Sequence, residues 1–259
     1  MNRSHILPFA VLAALVAAPA TALADGGSPK KLNVVYWTGG TAHDYDAMTK
    51  IFVPALAKRL DTDIKVCRDA KFLDSPQAKD LDVIVMNHCY AKAKDTLTDK
   101  QQQALLDVVR GGVGVVAVHA SYFSFVKWEE VHKFYGAVFT THGSAKAVVV
   151  VSTVDKKHPI MKDLDASFEV VSELYESTPL AKDCHVLAEA WDKDKRKAHP
   201  SVWTRMYGKG RVVTILPGHW PKNYGVPAFQ KLIARSAQWA AHRLGPSGWC
   251  AEAAKPKSK

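Results

Sequence analysis

Cysteine is scarce: the 259 residues hold four, Cys67, Cys89, Cys184 and Cys250, and no two share a CxxC spacing. That removes a zinc ribbon and a thioredoxin-type redox motif. In an oxidising compartment the four could still form disulfides, in any of three complete pairings. Glycine-rich phosphate loops are missing too. Neither Gly39-Gly40 nor Gly111-Gly112-Val113-Gly114 gives a GxGxxG or Walker pattern, so no nucleotide is expected. There is no HExxH or other local metal-ligand pair. A basic stripe with interleaved aromatics is also absent, which argues against a nucleic-acid partner although Lys and Arg outnumber Asp and Glu by 35 to 25. Internal repeats and low-complexity segments are lacking after residue 24.

Only one long apolar run occurs, Ile6 to Ala24, preceded by Asn2, Arg3, Ser4 and His5. It reads as a secretory signal peptide over residues 1–24, cleaved before Asp25; Pro8 and Pro19 and a short apolar core argue against an anchor. The expected product is exported, periplasmic or extracellular, with no membrane span after cleavage. Residues 25–31 read as a flexible leader, 32–244 as one domain and 245–259 as a basic tail. With 47% hydrophobic and 23% charged residues, the chain has the balance of a globular protein with one substantial core.

Within that domain the apolar runs 32–37, 81–86 and 113–118 read as strands buried on both faces, with 63–67 as a further strand. Met48, Ile51, Phe52, Leu56 and Leu60 recur at helical spacing. A second helix is expected over 98–110, capped by Thr98 and ended by Gly111-Gly112. Strand, helix, strand alternation implies parallel strands joined by right-handed crossovers, an α/β, flavodoxin-like sheet flanked by helices. The second half is richer in strands (147–153, 168–175, 185–191, 201–206, 211–216), which suggests antiparallel additions before a closing amphipathic helix over 228–244.

Ligands in such sheets sit beyond the carboxyl ends of the strands. His43, His88, His119 and His219 each follow or end a strand and are expected to converge on that rim, with His142 and Glu173 approaching from the second half. Histidine and carboxylate together suit general acid–base chemistry near neutral pH, or a divalent transition metal held by neutral imidazoles. Aromatic residues share these segments, among them Trp37, Tyr45, Tyr90, Tyr122, Tyr175, Trp203, Trp220 and Tyr224. Their faces could stack on a sugar ring while Asp44 and Asn87 bond its hydroxyls, or they could pack the core. His132, His242 and His185 read as structural, and His158-Pro159 and His199-Pro200 as turns or extended segments.

Several segments in order resemble the ThuA-like family of trehalose and other sugar utilisation. They are Thr38-Gly39-Gly40 with His43-Asp44, Gly114 to Ala120, Gly136 to Phe139 with His142, His158-Pro159-Ile160, Glu173-Leu174-Tyr175, and Gly208 to Val212 through Gly218-His219. The resemblance spans about residues 32 to 243 and implies a variant of the class I glutamine amidotransferase fold. That parent fold carries its nucleophilic cysteine on a turn after a central strand. Here the turn reads His119-Ala120-Ser121, so cysteine-dependent glutaminase activity is not expected, and Ser121 is a weak substitute. The resemblance implies sugar catabolism, including routes through 3-keto sugars; the function expected on that basis is acid–base chemistry on a small-molecule carbohydrate, a sugar or keto-sugar glycoside, by isomerisation, elimination or hydrolysis. His43, His119, His142, Glu173 and His219 would be the catalytic groups; Asp44, Tyr175, Trp203 and Trp220 would bind substrate. The alternatives are a non-catalytic carbohydrate-binding protein and a metal-dependent hydrolase.

Overall fold

The computed structural model describes residues 31–92, 97–125, 127–193 and 197–244. The expected signal peptide, nearly all of the leader, the tail and Cys250 lie outside the described residues.

The first half is built on continuous apolar strands. β1 (Val34–Gly40) pairs in parallel with β2 (Ile64–Cys67) on one side and β3 (Val83–Cys89) on the other; β4 (Gly114–Val118) follows β3, also parallel. Side chains alternate between faces, so Val34 and Tyr36 enter one core layer and Val35 and Trp37 the other. The first layer is closed by α1 (Tyr45–Leu60) through Met48, Phe52 and Leu56, and by α4 (Pro227–Ala240) through Phe229, Leu232 and Ile233. The second is closed by α2 (Asp99–Gly111) and α3 (Glu129–Tyr135) through Leu105, Leu106, Val109, Val131 and Phe134. Thr98 caps α2 in a full capping box with Gln101.

In the second half, β6 (Val148–Thr153), β7 (Ser167–Val171), β9 (His185–Asp192), β10 (Ala198–Tyr207) and β11 (Gly210–Ile215) extend the sheet. Its order is β2-β1-β3-β4-β11-β10-β9-β6-β7; β11 lies parallel to β4, and the strands beyond it are antiparallel neighbours. The result is a mixed sheet, mostly parallel in the first half and antiparallel in the second, flanked by helices. β5 (Phe139–His142) and β8 (Tyr175–Ser177) form a separate two-stranded ribbon. No helix among the described residues is long and apolar enough to cross a membrane.

Several expected boundaries shift. β1 runs on through Gly40 because Thr38, Gly39 and Gly40 pair with Asn87, His88 and Cys89. The closing helix ends at Ala240, four residues short of expectation. The strand expected over 168–175 is two strands in different sheets, broken at Ser172–Leu174, where the Ser172 hydroxyl is occupied by the backbone N–H groups of Gly218 and His219. Cys67 and Cys184 are free thiols, so none of the complete disulfide pairings forms.

Candidate active site

β1, β4 and β11 are parallel, so their carboxyl ends open on the same edge of the sheet. The loop after β1 passes over the end of β3 to bring His43 inward. Gly40 permits this: its φ is +92°, and a Cβ there would sit 2.1 Å from the carbonyl oxygen of Cys89. Thr41 N–H then donates to that same carbonyl. At the end of β4, His119 adopts φ +50°, a left-handed conformation that costs a non-glycine residue about 1–2 kcal/mol. Such strain clusters at functional sites. After β11, Gly218 at φ +140° lets the chain pass tightly over His119 and deliver His219.

Four ligand-type atoms converge here: one from each of His43, His119, His219 and Glu173, all within 4.8 Å of one another. His119 Nδ1 donates to the Leu216 carbonyl at 2.8 Å, which leaves its Nε2 lone pair facing the cluster. The Nε2 of His43 lies 3.1 Å from His219 Nδ1. Glu173 Oε2 lies 3.2 Å from His219 Nδ1 and 3.6 Å from His119 Nε2. Ligands held tetrahedrally about 2.05 Å from a zinc-sized ion stand about 3.3 Å apart, close to the 3.1, 3.2 and 3.6 Å separations of these three pairs. The donor set, three imidazoles and a carboxylate, suits zinc and other divalent transition metals.

Electrostatics agree with that fit. Burial, reinforced by His219, lowers the pKa of His43 to about 4. Burial and then His43 hold His119 well below the usual histidine range. Both rings are therefore neutral at pH 7, the form in which imidazole ligates a metal. Tyr175 Oη sits 3.3 Å from His119 Nε2, and burial together with Glu173 keeps the phenol protonated.

Around the cluster, His142 Nδ1 lies 2.8 Å from the Gly143 carbonyl and 3.4 Å from Glu173 Oε1, opposite the oxygen that faces the other histidines. Its side chain is 48% exposed. Trp220 packs edge-on against His219 at the rim. Two groups in the arrangement carried no sequence signal for the part they play. Tyr45 places its hydroxyl 3.1 Å from His43 Nδ1. Ser172, buried beside Glu173, fastens the His219 loop through two backbone N–H groups.

Other expected site residues lie elsewhere. Trp203 is in the core, its Nε1 donating to the Tyr135 carbonyl at 2.9 Å, and cannot meet a substrate. His88 turns below the rim into a buried cluster of Trp37, Tyr90 and Phe125, with Nδ1 3.0 Å from Ser124 Oγ. Asn87 is buried and bonded to Tyr36 and Tyr224. Asp44 is the N-cap of α1, accepting from Ala47 N–H. Ser121 is fully buried and accepts from His88 N–H, so it does not stand in for the missing cysteine. The strained position after the central strand is occupied by His119 itself.

The family model ThuA, described as trehalose utilisation, matches residues 33–240. No curated protein matches the chain. Among solved structures, a ThuA-like protein from Bacteroides uniformis is 21% identical with TM-score 0.68, covering 85% of this chain and 95% of its own. A ThuA-like protein from Parabacteroides merdae is 19% identical with TM-score 0.65, covering 84% and 93%. The fold extends to a β-galactosidase from Rahnella sp. R3, 13% identical with TM-score 0.58, covering 80% of this chain and 31% of that one.

Proposed function

Since the chain belongs to the ThuA family, we propose that it is an exported carbohydrate-processing enzyme acting on a sugar or keto-sugar glycoside at a divalent-metal centre held by His43, His119, His219 and Glu173. The observation that carries this reading is the convergence of those four donor atoms within 4.8 Å, at spacings that suit coordination. Export rests on the signal-like pattern of residues 1–24.

A bound divalent ion would supply Lewis acidity to a sugar oxygen or to water. The chain's own groups do the rest. The Leu216 carbonyl fixes the tautomer of His119, and Tyr45 orients His43, as outer partners of ligand histidines do. The protonated hydroxyl of Tyr175 can donate to a substrate oxygen next to His119. His142 stays outside the four-atom set, turns Glu173 through Oε1 and faces the opening. Together these groups can polarise a sugar carbonyl and move the neighbouring proton, a requirement shared by hydrolysis, elimination and isomerisation.

The test is elemental analysis of untagged protein beside incubation with disaccharides and 3-keto glycosides, products followed by mass spectrometry. The expected result is about one divalent ion per chain, held by the histidines and Glu173 with a coordination position left for a substrate oxygen or water, as in catalytic metal sites. Turnover should disappear with chelator, return with metal and be absent in His119→Ala. Full activity in metal-free protein, still lost in His119→Ala, would favour metal-free acid–base catalysis. Saturable sugar binding without turnover would favour a binding protein.

A further inference from the structure

Beside the four-residue cluster lies a groove that the reading above does not use. Trp220, next in sequence to His219, is 39% exposed, and among the described residues it is the one aromatic side chain among the exposed large hydrophobics. It is not loose: Nε1 donates to the Ala145 carbonyl at 2.7 Å, and the ring packs against His219 with centroids 4.6 Å apart. An indole fixed this way loses little freedom when a ring stacks on it. Trp220 also lines a cavity of about 550 Å³ together with Lys146, Val171, Pro221 and Lys222.

The walls are mostly apolar, and the two charged residues are both cations. Elsewhere on the surface Lys133, Lys193 and Lys197 stand within 4 Å of Glu130, Glu169 and Glu176. Lys146 and Lys222 have no such carboxylate among the described residues, and the nearby Glu173 is engaged by histidines. An exposed lysine alone is ordinary. Here two of them flank an immobilised indole one residue from the cluster, which joins a surface for stacking a pyranose to charge of one sign.

We infer that the Trp220 groove is an outer subsite for the second ring of the substrate, and that this ring carries an anionic group, a carboxylate or a phosphate, held by Lys146 and Lys222. The inference rests on the carbohydrate reading above and adds to it a substrate class, acidic glycosides.

The test is equilibrium binding to the metal-loaded full chain, using glucose, trehalose, trehalose 6-phosphate, the mono-uronic acid analogue of trehalose, and inorganic phosphate as probes. Two exposed charge pairs predict about tenfold tighter binding of an anionic disaccharide than of trehalose at low ionic strength. The gap should close at about 0.5 M salt, where the Debye length falls below about 5 Å. The two anionic arms decide between phosphate and carboxylate. Combining Lys146→Gln with Lys222→Gln should abolish the preference, with metal content reporting an intact centre, and Trp220→Ala should weaken the disaccharides but not glucose. Equal affinity for neutral and anionic disaccharides would overturn the inference. So would inorganic phosphate binding as tightly as trehalose 6-phosphate, a preference that survives in the double variant, or no binding of any disaccharide. A preference for the acidic ring in protein that holds no metal would sink the metal centre and leave the subsite standing.

Discussion

His88 gives the structure a built-in acid sensitivity whose size can be worked out. The ring is completely buried among Trp37, Tyr90 and Phe125, and its Nε2 has no hydrogen-bond partner. Burial lowers its pKa from 6.5 to about 3. As pH falls below 6.5 the unfolded chain takes up a proton at this residue and the folded one does not, so stability decreases until the folded pKa is reached. Each pH unit in that window removes about 1.4 kcal/mol, hence about 2 kcal/mol between pH 6.5 and 5. Replacing His88 by Phe keeps an aromatic ring in the cluster and removes the titration. At pH 7 it should change stability by about 1 kcal/mol, since the contact with Ser124 is lost together with an unpaired nitrogen. Urea unfolding of both proteins at pH 7 and pH 5, in chelator so that metal release does not enter, isolates the contribution. Wild type should lose about 2 kcal/mol more than His88→Phe; equal losses would refute the assignment of a neutral buried imidazole.

Other consequences are as direct. Gly218→Ala places a methyl group 3.1 Å from Tyr224 Oη and 3.2 Å from His119 Cβ at φ +140°. It should cost about 2–4 kcal/mol by denaturant titration and disturb metal binding with it. Tyr45→Phe removes the hydroxyl that meets His43 Nδ1 and should weaken metal affinity about 10- to 100-fold in competition with a chelator, with folding intact. Trp203→Phe should lower stability by about 1–3 kcal/mol through the unpaired Tyr135 carbonyl while sugar binding stays unchanged, and altered binding would contradict its place in the core.

The fold was legible where one local rule decides the outcome. Continuous apolar runs mark β1, β3 and β4 as central strands, and the Thr98–Gln101 box marks the start of α2. Histidines just after strand ends indicate the rim, which is where His43, His119 and His219 meet. Strand ends alone do not reveal which face a side chain takes. His88 pairs opposite Gly39 in the ladder and turns into the α2 and α3 layer, and Trp203 does the same from β10. The break at Ser172 was equally hidden, because it is made by hydrogen bonds from residues more than forty positions later.

The carbonyl that fixes His119 belongs to Leu216, 97 positions downstream and just past the end of β11, the strand inserted between β4 and β10. A polypeptide emerging from its N-terminus thus has His43 and His119 long before Leu216 arrives to set the imidazole or His219 and its clamp on Ser172 exist. Pairings of such sequence separation close late, since the chain must be ordered before they contribute. For the metal centre proposed above, ion uptake would then be a clock for maturation: a refolding chain should regain its helices first and capture metal only when β11 has docked, so the rate of uptake would read out the final step of assembly.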